Sequence, residues 1–176
     1  MAATSGIAKG AKDQYANVAY GTVTASAANT LTFAAIQMAV GLFQGVAMVI
    51  HRINYTPYVA TLRELVAATD SLGLGLTSSN RLANLVDTND PAIIDCHRIV
   101  CVGAPIANMD VPIVHDFCNL PGGGKLIAAN PIYFAIQPGG FGAVQGAIVR
   151  IDFTFVELAD RDYMELIQSQ FPANVV

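Results

Sequence analysis

Apolar and polar residues alternate along much of this chain. In residues 70–78, Leu72, Leu74 and Leu76 alternate with Ser71, Gly73 and Gly75. In residues 131–137, Ile132, Phe134 and Ile136 share one parity. In residues 148–158, Val149, Ile151, Phe153 and Phe155 oppose Arg150, Asp152 and Thr154. A period of two sends successive side chains to opposite faces of an extended strand, so each run predicts a strand with one face on a core. The third run is the cleanest, with Phe153 and Phe155 expected inside and Arg150, Asp152 and Thr154 outside. Less regular apolar runs extend the reading. Strands are expected near 22–36 (taken as two), 46–56, 71–77, 96–102, 111–118, 125–136 and 144–157, about eight in all.

Turn chemistry separates these runs. Pro121-Gly122-Gly123-Gly124 and Pro138-Gly139-Gly140 each fall between two apolar stretches, and Pro and Gly there favour tight turns. Asn130-Pro131 reads as a kink or bulge inside the 125–136 strand. Two helical pieces are expected. Around 61–68, Leu62, Leu65 and Val66 form an apolar face with Arg63 and Glu64 outward. Near the C-terminus, Asp162-x-x-Glu165 has the spacing of a capping box, followed by the stripe Tyr163, Leu166, Ile167. Asp90-Pro91 can open a single turn. Short strands punctuated by Gly and Pro predict an all-β sandwich or barrel. Eight antiparallel strands with long loops fit a single jelly roll, an architecture of capsid, lectin and cupin domains.

Composition narrows the class. With 176 residues the chain holds one domain. Hydrophobic residues make up 53% and charged residues 12%, which excludes disorder and coiled coil. The net charge is −4, and no basic cluster is present to neutralise nucleic-acid phosphates. So little charge on a soluble-sized chain implies surface that is covered by other subunits or by lipid. Residues 14–50 carry no charged side chain. Within them, 31–50 is long enough to span a bilayer, contains Gly41-x-x-x-Gly45, and is followed by His51 and Arg52. Thr22, Val23, Thr24, Thr30, Thr32 and Phe33 favour strand instead, and Gln37 and Gln44 would be costly in hydrocarbon. Two strands joined by a turn is therefore the reading taken, with membrane contact through 31–50 as the alternative. Residues 1–20 have no periodicity and no signal-peptide pattern. They are expected to form an N-terminal arm ahead of a single domain over 21–176.

Candidate chemistry is sparse. Three cysteines, Cys96, Cys101 and Cys118, are an odd number, which argues against a disulfide framework and for folding in a reducing, cytosolic compartment. With His97 and His115 they form the one candidate metal set, but C-x4-C and H-x-x-C are not familiar zinc spacings. A Cys118–His115 nucleophile pair would lie on opposite faces of a strand. Gly122-Gly123-Gly124-Lys125 lacks the upstream Gly and the following Ser or Thr of a phosphate loop, having Asn119 and Leu126 there. A cupin metal site needs clustered histidines, and His51, His97 and His115 are scattered. Asp160, Asp162 and Glu165 read as acids at a helix start. The expectation is no catalytic, cofactor-binding or metal residue and no enzyme activity.

Several local strings carry a resemblance: HRINY at 51–55, LVAATDSLGLGLTSSN at 65–80, LPGGGKLIAANPIYFAIQ at 120–137 and VRIDFTFVELADRDYMELIQS at 149–169. With their succession of strands and turns, residues 46–168 resemble the single jelly-roll capsid proteins of tailless icosahedral viruses. The resemblance implies a virion shell subunit, assembled in the host cytoplasm, whose partners are copies of itself and other virion proteins. Coat proteins of many small RNA viruses carry a basic arm for the genome, whereas here the first twenty residues hold only Lys9, Lys12 and Asp13. Genome binding by the arm is therefore not expected. Two other classes stay open on the sequence: a membrane-associated protein anchored through 31–50, and a jelly-roll module binding a small molecule or carbohydrate.

Overall fold

A computed structural model describes residues 17–38, 45–58, 61, 65–67, 69–85, 89–101, 112–129 and 131–170. Nine strands occur among them: β1 (Asn17–Thr24), β2 (Thr32–Ile36), β3 (Val46–Pro57), β4 (Ser71–Thr77), β5 (Ile93–Val100), β6 (Ile113–Asp116), β7 (Lys125–Ile127), β8 (Ile132–Gly139) and β9 (Gly146–Glu157). One helix, α1 (Asp160–Gln170), follows. The strands form two sheets, paired antiparallel throughout. The first runs β1-β9-β3-β6, with β7 also on β3, and the second runs β2-β8-β4-β5. The chain is an all-β sandwich with a short C-terminal helix.

The alternation seen in the sequence builds the core. Leu72, Leu74 and Leu76 of β4 and Ile132, Phe134 and Ile136 of β8 are fully buried, as are Val149 and Ile151 of β9, and Phe153 is 4% exposed. Phe155 is half-buried against the same cluster. Tyr55 of the first sheet stacks on Phe134 of the second at 6.0 Å between ring centroids, so the two inner faces meet directly. On β3 the inward parity changes midway. Met48 and Ile50 face the core, then Ile53 and Tyr55 do. A register shift between Ile50 and Arg52 resets the pleat at His51, as a bulge does. One long strand therefore keeps an apolar inner face despite a break in the even–odd pattern.

On β4 both faces are covered. Gly73 and Gly75 lie on the outer side, where Leu85 packs; a Cβ on Gly75 would sit 3.1 Å from Leu85 Cδ2. The Leu85 N–H donates to Gln137 Oε1 at 2.7 Å, which holds this segment across the sheet.

Several expected boundaries are corrected. The strand expected at 125–136 is two strands, β7 and β8, and they belong to different sheets. The kink expected at Asn130-Pro131 falls between these two strands, and residue 130 lies outside the described residues. Strand β1 begins at Asn17 and pairs with β9 from Asn17↔Phe153 onward, so residues 17–20 belong to the sandwich and not to an arm. Residues 1–16 lie outside the described residues. Residues 31–50 are not one helix: they supply β2 and the start of β3, in different sheets, and 39–44 lie outside the described residues. Among the described residues no helix is long and apolar enough to cross a membrane. In the 61–68 piece Thr61 is helical, 62–64 and 68 lie outside the described residues, and Leu65 and Val66 are not helical. Leu65 is buried whereas Val66 is 58% exposed, so they share no face. The cause is local: Asp70 Oδ2 accepts the N–H groups of Val66 and Ala67 at 3.0 and 2.6 Å, which turns the chain there. The expected capping box at Asp162 is absent because α1 starts two residues earlier, and Glu165 pairs with Arg161 at 2.9 Å.

Candidate functional site

Strand β5 ends the second sheet and β6 ends the path of the first. Between them, at one edge of the sandwich, a polar cluster occupies positions that elsewhere would be apolar. Asp95 and His97 pair with Leu76 and Leu74 of β4, and His115 of β6 pairs with Ile53 of β3. These three residues therefore take the core-facing parity of their neighbours. The Tyr55 hydroxyl donates to Asp95 Oδ2 at 2.9 Å. His115 Nδ1 is 2.7 Å from the same oxygen, and His115 Nε2 is 3.1 Å from His97 Nδ1. An ionised carboxylate only accepts, so the His115 proton sits on Nδ1, and Nε2 is left to accept the His97 Nδ1–H. The His115 ring stands edge-on to Tyr55 at 5.7 Å and to His97 at 5.2 Å.

The surroundings bias each proton. Burial, then Asp95, pushes the Tyr55 phenol well above its ordinary value. Burial and then the neighbouring His115 lower His97, against the opposing pull of Asp95. Burial, then Asp95, raises the Cys96 thiol, with Lys125 acting the other way. A carboxylate orienting an imidazole is the back half of a nucleophilic triad. Here, however, the far nitrogen of His115 meets a second imidazole, not a hydroxyl or thiol. The geometry ties two sheets together and can take up protons; it does not activate a nucleophile.

The residues singled out from sequence thus separate. His97 and His115 meet, while Cys96, Cys101 and Cys118 form no disulfide. Cys101 is buried, with its N–H bonded to Asp70 O at 2.9 Å. Cys118 is exposed, and its Sγ lies 3.8 Å from His51 O. Among the described residues no group of three or more His, Cys, Asp or Glu side chains is arranged so that it could hold a metal ion. Gly122 and Gly123 have φ of 88° and 76°, which is turn geometry. The Lys125 ammonium donates to the Ile94 carbonyl and lies 5.0 Å over the Phe117 ring, so it clips β7 to β5. His51 fastens the same turn: Nδ1 donates to Gly123 O at 2.7 Å, and Nε2 bonds Thr154 Oγ1 at 2.9 Å. Asp160 and Asp162 lie in the first turn of α1, and Glu165, further along the helix, is engaged by Arg161.

Asp95 and Tyr55 were not singled out in the sequence. One signal was available. In 93–99 the odd positions read Ile93, Asp95, His97, Ile99, two polar residues within an otherwise apolar parity. Such residues need partners from another element when buried.

A second feature is the outer face of the first sheet. Tyr20 is 66% exposed and Val18, Val114 and Ile148 also stand in solvent. The register sets Tyr20 beside Arg150, Arg150 beside Asn54, and Asn54 beside Val114. The ion pairs Arg150–Asp152 at 3.0 Å and Arg52–Asp116 at 2.8 Å cross the same face. The charges on this face cancel, leaving aromatic and branched side chains uncovered among them. No protein-family model and no curated protein sequence matches the chain.

Proposed function

We propose that the chain is a structural subunit of an icosahedral viral shell, a single jelly roll that assembles with copies of itself in the virion. The observation that carries the reading is the interleaved strand order. The sequence of the chain winds through the two sheets as β1-β9-β3-β6 and β2-β8-β4-β5, so that first and last strands pair and successive strands from β1 to β4 alternate between layers. That winding supports the jelly-roll reading, and jelly rolls are a common form of capsid domains. Two further observations support it. Only 12% of residues are charged, and large apolar side chains, Tyr20, Val18, Ile148 and Val114, lie exposed on a sheet face. Such surface is characteristic of subunits that are covered in an assembly. The polar cluster offers no activated nucleophile, which favours a structural role over catalysis.

The test is imaging and sizing of the purified full chain without detergent. Uniform closed particles, seen by negative stain and eluting near the void volume, are expected. A monodisperse monomer at high concentration and across salt, with no particles when mixed with other virion components, would overturn the reading.

A further inference from the structure

We infer that Asp95, His115 and His97 form an acid-opened clasp joining the two sheets at the β5–β6 edge. The inference does not depend on the shell reading, since it concerns the fold of a single chain.

Strands β5 and β6 belong to different sheets, so no backbone ladder joins them. Side chains supply the link: His115 reaches Asp95 at 2.7 Å and His97 at 3.1 Å, both across the gap. The proton count decides what this link tolerates. With both imidazoles neutral, His115 Nδ1–H donates to Asp95 and His97 Nδ1–H donates to His115 Nε2. One added proton is accommodated. An imidazolium His115 donates from both nitrogens, and His97 shifts its proton to Nε2 so that Nδ1 accepts. A second proton is not accommodated. Both facing nitrogens then carry hydrogens, and two cations stand 3.1 Å apart with the one carboxylate bonded to the other nitrogen of His115. The contact must break.

The groups around the clasp offer no rescue. From β3 it meets Tyr55, a donor to Asp95. From β7, Lys125 adds a positive charge beside Ile94, one residue from Asp95. Arg98 on β5 bonds Ser71, and Asp116 on β6 is held by Arg52. Asp95 is the one carboxylate bonded to either ring among the described residues. The third histidine behaves differently: His51 faces a carbonyl and a hydroxyl oxygen, both of which accept, so a protonated His51 keeps its two bonds.

The lowered His97 value has the matching sign. A folded-state value below the ordinary one means that the unfolded or opened chain binds the proton first. Stability is therefore complete above the ordinary imidazole range and is lost as pH falls through it toward the lowered folded value. The opening sets in as the pH falls below the ordinary imidazole range of about 6.5.

Backbone hydrogen exchange of the full chain, corrected for intrinsic rates, reads the clasp directly. Between about pH 7.5 and 5, protection in β5 and β6 is expected to fall while that in β1 and β9 is retained. His97→Gln keeps a donor to His115 without a titrating ring and should abolish that selective loss, while His51→Gln should leave it intact. A loss shared equally by all strands, or one unchanged in His97→Gln, overturns the inference. Ring-nitrogen NMR of the unsubstituted chain gives an arm that needs no variant. His115 is expected as the Nδ1–H tautomer, with His97 protonating below the ordinary range. His97 titrating at or above that range overturns the clasp.

Discussion

Phe153 is 4% exposed and meets Phe155 edge to face at 5.2 Å. Phe153→Ala should destabilise the fold by about 3–5 kcal/mol, through lost burial and the cavity left behind. Arg150, three residues away on the outer face, is paired with Asp152, and Arg150→Ala should cost less than about 1 kcal/mol. Urea unfolding of the two variants checks the difference, and equal small losses would contradict the assigned faces of β9. Gly140 has φ of +87°, and a Cβ there would stand 2.3 Å from Asp70 Oδ1. Gly140→Ala should therefore destabilise by about 1–3 kcal/mol, both from backbone strain and by displacing the carboxylate that holds the Val66–Ala67 turn. Thermal melts of Gly140→Ala and of Gly142→Ala, whose Cβ would meet nothing, make the comparison. Cys118 is exposed, but its hydrogen bond with Asp116 raises its thiol value. Asp116 itself is lowered to about 2 by the Cys118 N–H and the Arg52 guanidinium. Cys118 should be the first cysteine alkylated at neutral pH, yet more slowly than a free thiol, and Asp116→Asn should speed it.

At the level of elements, the inner faces of β4, β8 and β9 were legible because a period of two is a local property. Sheet membership is not local. Nothing in the run from Lys125 to Gln137 states that β7 adds to β3 while β8 crosses to the other layer. The start of β1 was hidden for a related reason. As an edge strand, it buries little on its own: Val18 and Tyr20 face solvent while Val23 is buried, so Asn17–Tyr20 carries no clean alternation. The polar clasp was half legible. His97 and His115 stood out as chemistry, but their meeting depends on two strands that share no sheet. Helix α1 shows the same limit. Its half-buried stripe of Tyr163, Leu166 and Ile167 was readable, but its anchor was not. Gln170 donates to Leu126 O and accepts from Ala128 N–H, and its carbonyl accepts from Ser78. Gln170→Ala removes two of these three bonds, so local opening of α1 should become easier by about 1–2 kcal/mol. Faster amide exchange in α1 with an unchanged global midpoint is the expected signature.

For the whole molecule, the proposed assembly makes the N-terminal boundary testable. Deleting residues 2–19 would remove Asn17–Ala19 and their pairing with Phe153–Ile151, and would unravel an edge of the sandwich rather than probe an arm. Deleting 2–16 leaves β1 whole. That variant should stay folded and give fewer or altered particles. The effect should be nearly independent of salt, because the segment carries only Lys9, Lys12 and Asp13. Normal particles at low and high salt would show that residues 2–16 are dispensable.

The pairing of β1 with β9 also bears on how the protein is made. Strand β1 finds its neighbour only when residues 146–157 have been synthesised, since β9 lies between β1 and β3. Contacts of such long sequence separation fold slowly and cannot be completed during most of translation. Until then the inner face of β3 has no β9 beside it, and the outer row from Tyr20 to Val114 does not exist as a surface. A nascent chain therefore cannot present that face to another subunit. The topology makes synthesis through Glu157 a precondition for the proposed association, and a chain stalled before Gly146 would be excluded from any assembly that uses this sheet.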